Sequence, residues 1–246
     1  MILLIEIGNT NIHLGKVINN SLVEVYYIAS KPKLSIHEYL VTMEKMIPLK
    51  EIKKIVLSSV VPSLLDEFTK LKDILKCSML IVNNNIKTGV NLLVDNPKEV
   101  GADLILDVAG LCGLQDTIII DLGTANKYIY TDGKNMYGCL FSPGLLISMN
   151  ALSASAALLP EISVSVPRKV IGKNTVDCMK SGVIYGLASE IDGTITRMEK
   201  EIGHPCKHVL TGGYATTIYP LLDKEVEVIE NLCLIGMLNV YKMNIQ

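Results

Sequence analysis

The chain has 246 residues, 49% of them hydrophobic and 20% charged, with a formal net charge of −2. That length fits one large domain or two of roughly 115 to 130 residues, each able to bury a core, and the composition excludes a disordered chain. The near-neutral charge, with no basic block and no aromatic–basic interleaving, argues against a nucleic-acid partner. No apolar run approaches the roughly 18 residues a membrane span needs, and the opening Met1-Ile2-Leu3-Leu4-Ile5-Glu6 lacks the basic region of a secretory signal, so the expected location is cytoplasmic, with no membrane partner. The six cysteines (Cys77, Cys112, Cys139, Cys178, Cys206, Cys233) contain no C-x-x-C pair. Buried reduced thiols are expected, and neither a zinc site nor a disulfide framework.

In chain order, strands are predicted over Ile2–Ile7, His13–Val17 and Val23–Ile28, with Asn19-Asn20 as a hairpin turn. A helix follows over Ser35–Met46, then a strand over Lys54–Ser59. Pro62 and Ser63 open a second helix, and Ser78–Val82 is a further strand. Pro97–Leu114 reads as helical, with apolar residues at Val100, Leu104 and Val108. The pattern then restarts. Thr117–Asp121, Ala125–Thr131 and Met136–Phe141 form a second three-strand meander turning at Asp132-Gly133, and Pro143-Gly144 opens a helix running towards Ala157. Val176–Gly203 is the longest helical stretch, and its small residues Ser181, Gly182, Gly186, Ala188 and Gly193 are expected to permit close packing. Val209–Thr211 is a strand closed by Gly212-Gly213, and Leu232–Tyr241 is a final helix. His204-Pro205-Cys206-Lys207-His208 reads as a solvated turn, since no second ligand pair accompanies it.

One short pattern occurs twice: Leu3-Leu4-Ile5-Glu6-Ile7-Gly8-Asn9-Thr10 and Ile118-Ile119-Ile120-Asp121-Leu122-Gly123-Thr124-Ala125. Each copy is a buried strand ending in an acid, then a glycine turn. A carboxylate there can hold hydrated Mg²⁺, and a glycine followed by Thr lets backbone N–H groups and a hydroxyl approach phosphate oxygens. Two such loops facing each other would clamp a nucleotide; the plain structural alternative for each is a hairpin turn. The duplication divides the chain into 1–115 and 116–246.

Duplicated strand-acid-glycine halves with the late Thr211-Gly212-Gly213 resemble the actin, hexokinase and acetate-kinase superfold. Within it the sequence is most similar to type III pantothenate kinases. The resemblance runs through Glu6-Ile7-Gly8-Asn9-Thr10-Asn11, Ser58-Ser59-Val60-Val61-Pro62, Asn96-Pro97, Gly101-Ala102-Asp103, Asp121-Leu122-Gly123-Thr124-Ala125, Ser142-Pro143-Gly144, Ile171-Gly172-Lys173-Asn174-Thr175, Ser181-Gly182 and Thr211-Gly212-Gly213. It implies an α/β protein of two actin-like (ribonuclease H-like) lobes, each a mixed five-stranded sheet flanked by helices, with an ATP cleft between them. It also implies a homodimer and transfer of the ATP γ-phosphoryl group to the primary hydroxyl of pantothenate, the opening step of coenzyme A synthesis. Phosphoryl transfer needs a metal to neutralise charge, donors around the phosphates and a base for the hydroxyl.

By this resemblance Glu6, where the family normally has Asp, holds Mg²⁺. Ile7, Gly8, Asn9, Thr10, Asn11, Ile12 and His13 supply the first phosphate loop, Gly123 and Thr124 the second, and Gly212-Gly213 the adenine or ribose side. Asp103 is the catalytic base, although an Asp early in a helix also complements the dipole. Gly101, Ala102, Asp103, Leu104, Val94 and Thr175 fall at substrate-side positions; Asn174-Thr175 reads equally as a helix N-cap. Asp121 matches an aspartate associated with a monovalent cation, K⁺ or NH₄⁺.

Four positions depart from the family pattern: Glu6 for Asp, Leu104 for Arg, Val94 for Tyr, and Asn126-Lys127 for two threonines. Leu104 and Val94 remove polar contacts to the substrate, so a related hydroxy acid is an alternative acceptor, and a kinase-dead paralogue acting as a nucleotide- or metabolite-sensing regulatory protein is an alternative function. Lys127 either substitutes for the dissociable cation, contacts the substrate carboxylate, or points to solvent on the sheet's outer face.

Overall fold

The computed structural model describes residues 1–83, 86–111, 113–155 and 159–245. The chain divides into two compact units, Met1–Cys112 with Leu232–Gln246, and Gly113–Asn231. The C-terminal helix Leu232–Asn244 therefore belongs to the first unit, where the expected 116–246 lobe had put it in the second. The physical reason is its apolar surface, which is buried on the first sheet.

The first unit opens with β1 (Ile2–Ile7), β2 (Asn11–Ile18) and β3 (Ser21–Ala29), an antiparallel meander whose turn residues Asn19 and Asn20 have φ of 51° and 61°. Asn tolerates this left-handed region better than other side chains, and it is the geometry of a two-residue hairpin. Helix α1 (Ile36–Glu44) starts from a capping box: the Glu38 N–H donates to Ser35 Oγ, and the Ser35 N–H donates to the Glu38 carboxylate at 2.8 Å. β4 (Lys54–Ser59), α2 (Pro62–Thr69), α3 (Leu71–Ile74) and β5 (Ser78–Ile81) follow, then the short β6 (Asn91–Leu92) and α4 (Ala102–Gly110). The sheet order is β3-β2-β1-β4-β5, with β4 and β5 parallel to β1.

Central β1 is buried on both faces, which accounts for its unbroken apolar run. Leu3, Ile5 and Ile7 pack with Tyr39, Met43, Leu64 and Phe68 of α1 and α2. Leu4, on the other face, packs with Leu106 of α4 and with Leu234, Met237 and Tyr241 of the C-terminal helix. α4 and that helix lie so close that a Cβ on Gly236 would run into the Leu106 carbonyl and one on Gly110 into that of Leu232, while Asn239 donates to the Ala109 carbonyl at 2.9 Å.

The second unit repeats this plan with β7 (Thr117–Leu122), β8 (Ala125–Thr131), β9 (Asn135–Pro143), α5 (Leu145–Ser155), α6 (Thr175–Ile202), β10 (Lys207–Thr211), α7 (Ala215–Ile218) and β11 (Glu227–Val228). Its own strands run β11-β10-β7-β8-β9, β7 antiparallel to β8 and parallel to β10. β7 thus occupies the position of β1. Ile118, Ile120 and Tyr128 pack under Met149 of α5 and Ile184, Leu187, Ile191 and Ile195 of α6. Asn174 caps α6 by accepting from the Asp177 N–H at 2.9 Å, and Gly203 ends it at φ 93°.

Several expectations are corrected. Pro97–Leu114 is not one helix: a 3-10 turn at Pro97–Glu99 is separated from α4 by extended backbone at Val100 and Gly101. The expected extension of α5 to Ala157 and the thiol of Cys112 lie outside the described residues. Of the other cysteines, Cys139 and Cys178 are exposed, and Cys77, Cys206 and Cys233 are half-buried at the margins of the cores they pack against. Of the five small residues expected to permit close packing on α6, only Ser181 and Ala188 face the core; Gly182, Gly186 and Gly193 look into open space. His208 lies in β10 rather than in a solvated turn, with Nε2 2.9 Å from Glu199 Oε1 and Nδ1 2.9 Å from the Glu225 carbonyl oxygen.

Candidate active site

The first glycine loop leaves the C-terminal end of β1. The Gly8 N–H donates to the Asn11 carbonyl at 2.9 Å, closing a tight turn that returns the chain into β2. Ser30, 3% exposed, braces that turn: its hydroxyl donates to the Gly8 carbonyl at 2.7 Å and its N–H to the Thr10 carbonyl at 2.9 Å. Asn9, Thr10 and Asn11 are exposed at the tip, whereas Ile7 and Ile12 are fully buried and can serve only through their backbone. Glu6 is 8% exposed, with Oε2 3.1 Å from His13 Nδ1, its cross-strand partner. The Tyr27 ring meets His13 edge-on at 4.9 Å and fixes its plane.

Asp103 occupies the first turn of α4, one residue past Ala102, with Gly101 as N-cap. Its carboxylate folds back over Gly101 so closely that a Cβ there would meet Oδ1 and turn the carboxylate aside. The negative charge sits at the helix's positive end. Leu104 turns inward and is 4% exposed, so its side chain belongs to the core rather than to a ligand surface. Val94 is half-buried.

The second loop leaves β7. Asp121 and Lys127 are directly opposed across the antiparallel pair, and Lys127 Nζ lies 2.5 Å from Asp121 Oδ2. Lys127 therefore faces the same side as the acid and is not a solvated outer-face lysine. Gly212, at φ 92°, brings the Thr211-Gly212-Gly213 turn against this strand end; a Cβ there would stand 2.5 Å from Asp121 Oδ1 and from the Leu122 nitrogen. Gly144 closes in on the loop's other flank: its N–H donates to the Thr124 carbonyl at 3.1 Å, and a Cβ would clash with the Gly123 and Thr124 carbonyls. Beneath, Asn126 Nδ2 donates to Ser142 Oγ at 3.2 Å and to the Pro143 carbonyl at 3.1 Å, and the Tyr128 hydroxyl donates to Glu190 Oε1 at 2.7 Å. Burial, reinforced by that carboxylate, drives the Tyr128 hydroxyl far above its ordinary pKa, so it is a fixed proton donor. Thr124 is exposed, and Thr175 stands exposed at the first position of α6, with Asn174 rather than Thr175 as the cap.

Among the described residues no cluster of three His, Cys, Asp or Glu forms a ready metal cage. Mg²⁺ in kinase sites keeps several waters and is held by one or two carboxylates plus phosphates. The single buried Glu6 carboxylate at a loop end fits that donor set. Asp121 does not fit a dissociable monovalent cation equally well, since an ammonium already stands on it. The residues that motif reading missed are Ser30 and the roles of Gly144 and Gly212 as close-approach positions; Ser30 lies beyond two strands from the loop it braces, and no local pattern marks it.

The chain matches the family model described as type III pantothenate kinase over residues 2–197. It is 37% identical over 247 aligned positions to the type III pantothenate kinase of Acholeplasma laidlawii, covering 100% of both chains. With that of Citrifermentans bemidjiense the identity is 38%, over 99% of this chain and 100% of the relative. Among solved structures it is similar to component A of (R)-2-hydroxyglutaryl-CoA dehydratase from Acidaminococcus fermentans, with TM-score 0.54, 13% identity, and 97% and 96% of the two chains covered. A ROK family glucokinase from Streptomyces griseus, in complex with glucose and AMPPNP, gives TM-score 0.50, 12% identity and 98% coverage of both. These likenesses show a shared fold of two actin-like α/β lobes. No helix of the described residues is long and apolar enough to cross a membrane.

Proposed function

The chain belongs to the type III pantothenate kinase family, and from that premise we propose that it transfers the γ-phosphoryl group of ATP to the primary hydroxyl of pantothenate, the first step of coenzyme A synthesis. The observation that carries the reading is 37% identity over the full length to a type III pantothenate kinase, combined with an acid-glycine loop at the end of each topologically equivalent central strand. The backbone of the exposed tip, residues 9–11, and of Gly123-Thr124 donates to phosphate oxygens, the Gly8 N–H being spent on closing the first turn, and Gly212-Gly213 lets the nucleotide's adenosine end approach the backbone. Glu6, oriented by His13, holds Mg²⁺, which when bound neutralises phosphate charge. Asp103 accepts the hydroxyl proton as the hydroxyl oxygen bonds to phosphorus and the bond to the ADP oxygen breaks.

Leu104 is buried in the core and Val94 is apolar, so neither offers a polar contact and the pantothenate carboxylate takes its donor from elsewhere. The working unit is a homodimer in the cytoplasm, in which the exposed Thr175 reaches the substrate; exposed Leu146, Ile147 and Val176 supply apolar surface for the partner copy. Neither nucleic acid nor membrane takes part. The test is ADP release from the purified protein with MgATP, with and without pantothenate. Pantothenate-dependent turnover that falls by at least about 10² in Asp103→Asn, with nucleotide binding retained, supports the reading. Turnover unchanged by that substitution removes Asp103 from the chemistry.

A further inference from the structure

We infer that the Lys127 ammonium is a built-in replacement for a dissociable monovalent cation at Asp121, so that this chain works without added K⁺ or NH₄⁺. The inference rests on the kinase reading above, because it assigns a role within that same site. Its basis is geometric. Asp121 ends β7 at the glycine loop, Lys127 is its directly opposed neighbour on β8, and Nζ stands 2.5 Å from Oδ2. Both side chains are nearly withdrawn from water, at 14% and 15% exposure, so this is not a loose surface pair. The carboxylate's other oxygen faces Gly212, whose backbone approaches so closely that even a methyl group would not fit. One side of the acid is therefore closed by main chain and the other by an ammonium.

A lysine ammonium carries the same unit charge as K⁺ and the same chemistry as NH₄⁺, but its tether removes the entropic cost of capturing a free ion. A second monocation on the same carboxylate would lie a few ångströms from Nζ and be repelled. Lys127 acts on the loop through Asp121 and is thus a positioning residue: it neutralises the acid beside Gly123-Thr124 and holds that strand end in the shape the phosphates meet.

The experiment measures binding of the non-hydrolysable analogue AMPPNP, with Mg²⁺, by calorimetry in choline, Na⁺, K⁺ and NH₄⁺ chloride at equal ionic strength, for the parent and for Lys127→Met, with thermal melting alongside. The parent's dissociation constant should vary by less than about twofold among the four salts. Lys127→Met should lose about tenfold or more in choline and recover most of it in K⁺ or NH₄⁺, with a parallel salt-specific rise in melting temperature. A parent that requires K⁺ for binding overturns the inference, and this arm stands even where the variant does not fold. A folded variant that matches the parent in choline also overturns it. Salt-independent AMPPNP binding without pantothenate turnover would sink the kinase reading and leave this one standing; K⁺-dependent turnover would do the reverse.

Discussion

Replacing Gly212 by Ala tests whether the late glycine pair builds the second loop. Two penalties add. The backbone at 212 has φ 92°, where a side chain costs about 1–2 kcal/mol. The new methyl would also sit 2.5 Å from Asp121 Oδ1 and the Leu122 nitrogen and 2.6 Å from the Leu122 carbonyl oxygen. Two of those three atoms are backbone in a central strand and cannot swing aside, so relief requires moving the turn, at an overpacking cost of about 1–3 kcal/mol. The sum, about 2–5 kcal/mol, corresponds to a fall in melting temperature on the order of 10 °C for a unit of this size. Gly213 supplies the control: it has an ordinary φ and open space around its Cα, so Gly213→Ala should change stability by no more than about 0.5 kcal/mol. Urea denaturation of both variants, followed by tyrosine fluorescence and far-UV circular dichroism, reads the difference. Gly212→Ala as stable as the parent would refute the close packing of this turn on β7.

Gly236→Ala should destabilise the first unit by about 1–3 kcal/mol, since its methyl would strike the Leu106 carbonyl and drive the C-terminal helix off α4; chemical denaturation with hydrogen exchange localised to α4 checks it. Asp132 accepts from the backbone N–H of Asn135 at 2.6 Å and of Lys134 at 2.9 Å, from the Asn135 amide at 2.7 Å and from the Tyr137 hydroxyl at 2.9 Å, which together hold its carboxyl well below the ordinary aspartate range. A folded value below the unfolded one means stability present above about pH 5 and lost as the pH falls through 4 and below. Asp132→Ala should therefore cost about 1 kcal/mol near neutrality, modest because solvent screens the turn, and the gap to the parent should close under acid in pH-resolved melting curves.

Much of the architecture could be read locally. Unbroken apolar runs ending in Glu6 and Asp121 marked the two central strands, Asn19-Asn20 marked a hairpin, and Pro62 and Asn174 marked helix starts at or next to their observed positions. What escaped depends on tertiary packing. Leu232–Asn244 is apolar nearly all round, so its periodicity could not say which sheet it covers. Two-residue β11 and four-residue α7 are too short for any period to show. Extended backbone at Val100-Gly101 interrupts a run that reads as continuous helix. At the site, the glycine loops were legible as motifs, but the brace from Ser30 and the inward turn of Leu104 were not, because each depends on neighbours distant in sequence. The Asp121–Lys127 contact was open in part: a tight turn at Gly123-Thr124 fixes the register that sets them opposite one another, and only the side chain's face remained undecided.

The most direct test of the central claim is mass-spectrometric detection of phosphorylated pantothenate after incubation of the purified protein with MgATP and pantothenate, beside the Asp103→Asn variant. The account predicts product at one equivalent per ADP released in the parent and essentially none in the variant. ATP binding with no phosphorylated pantothenate from the parent would contradict it.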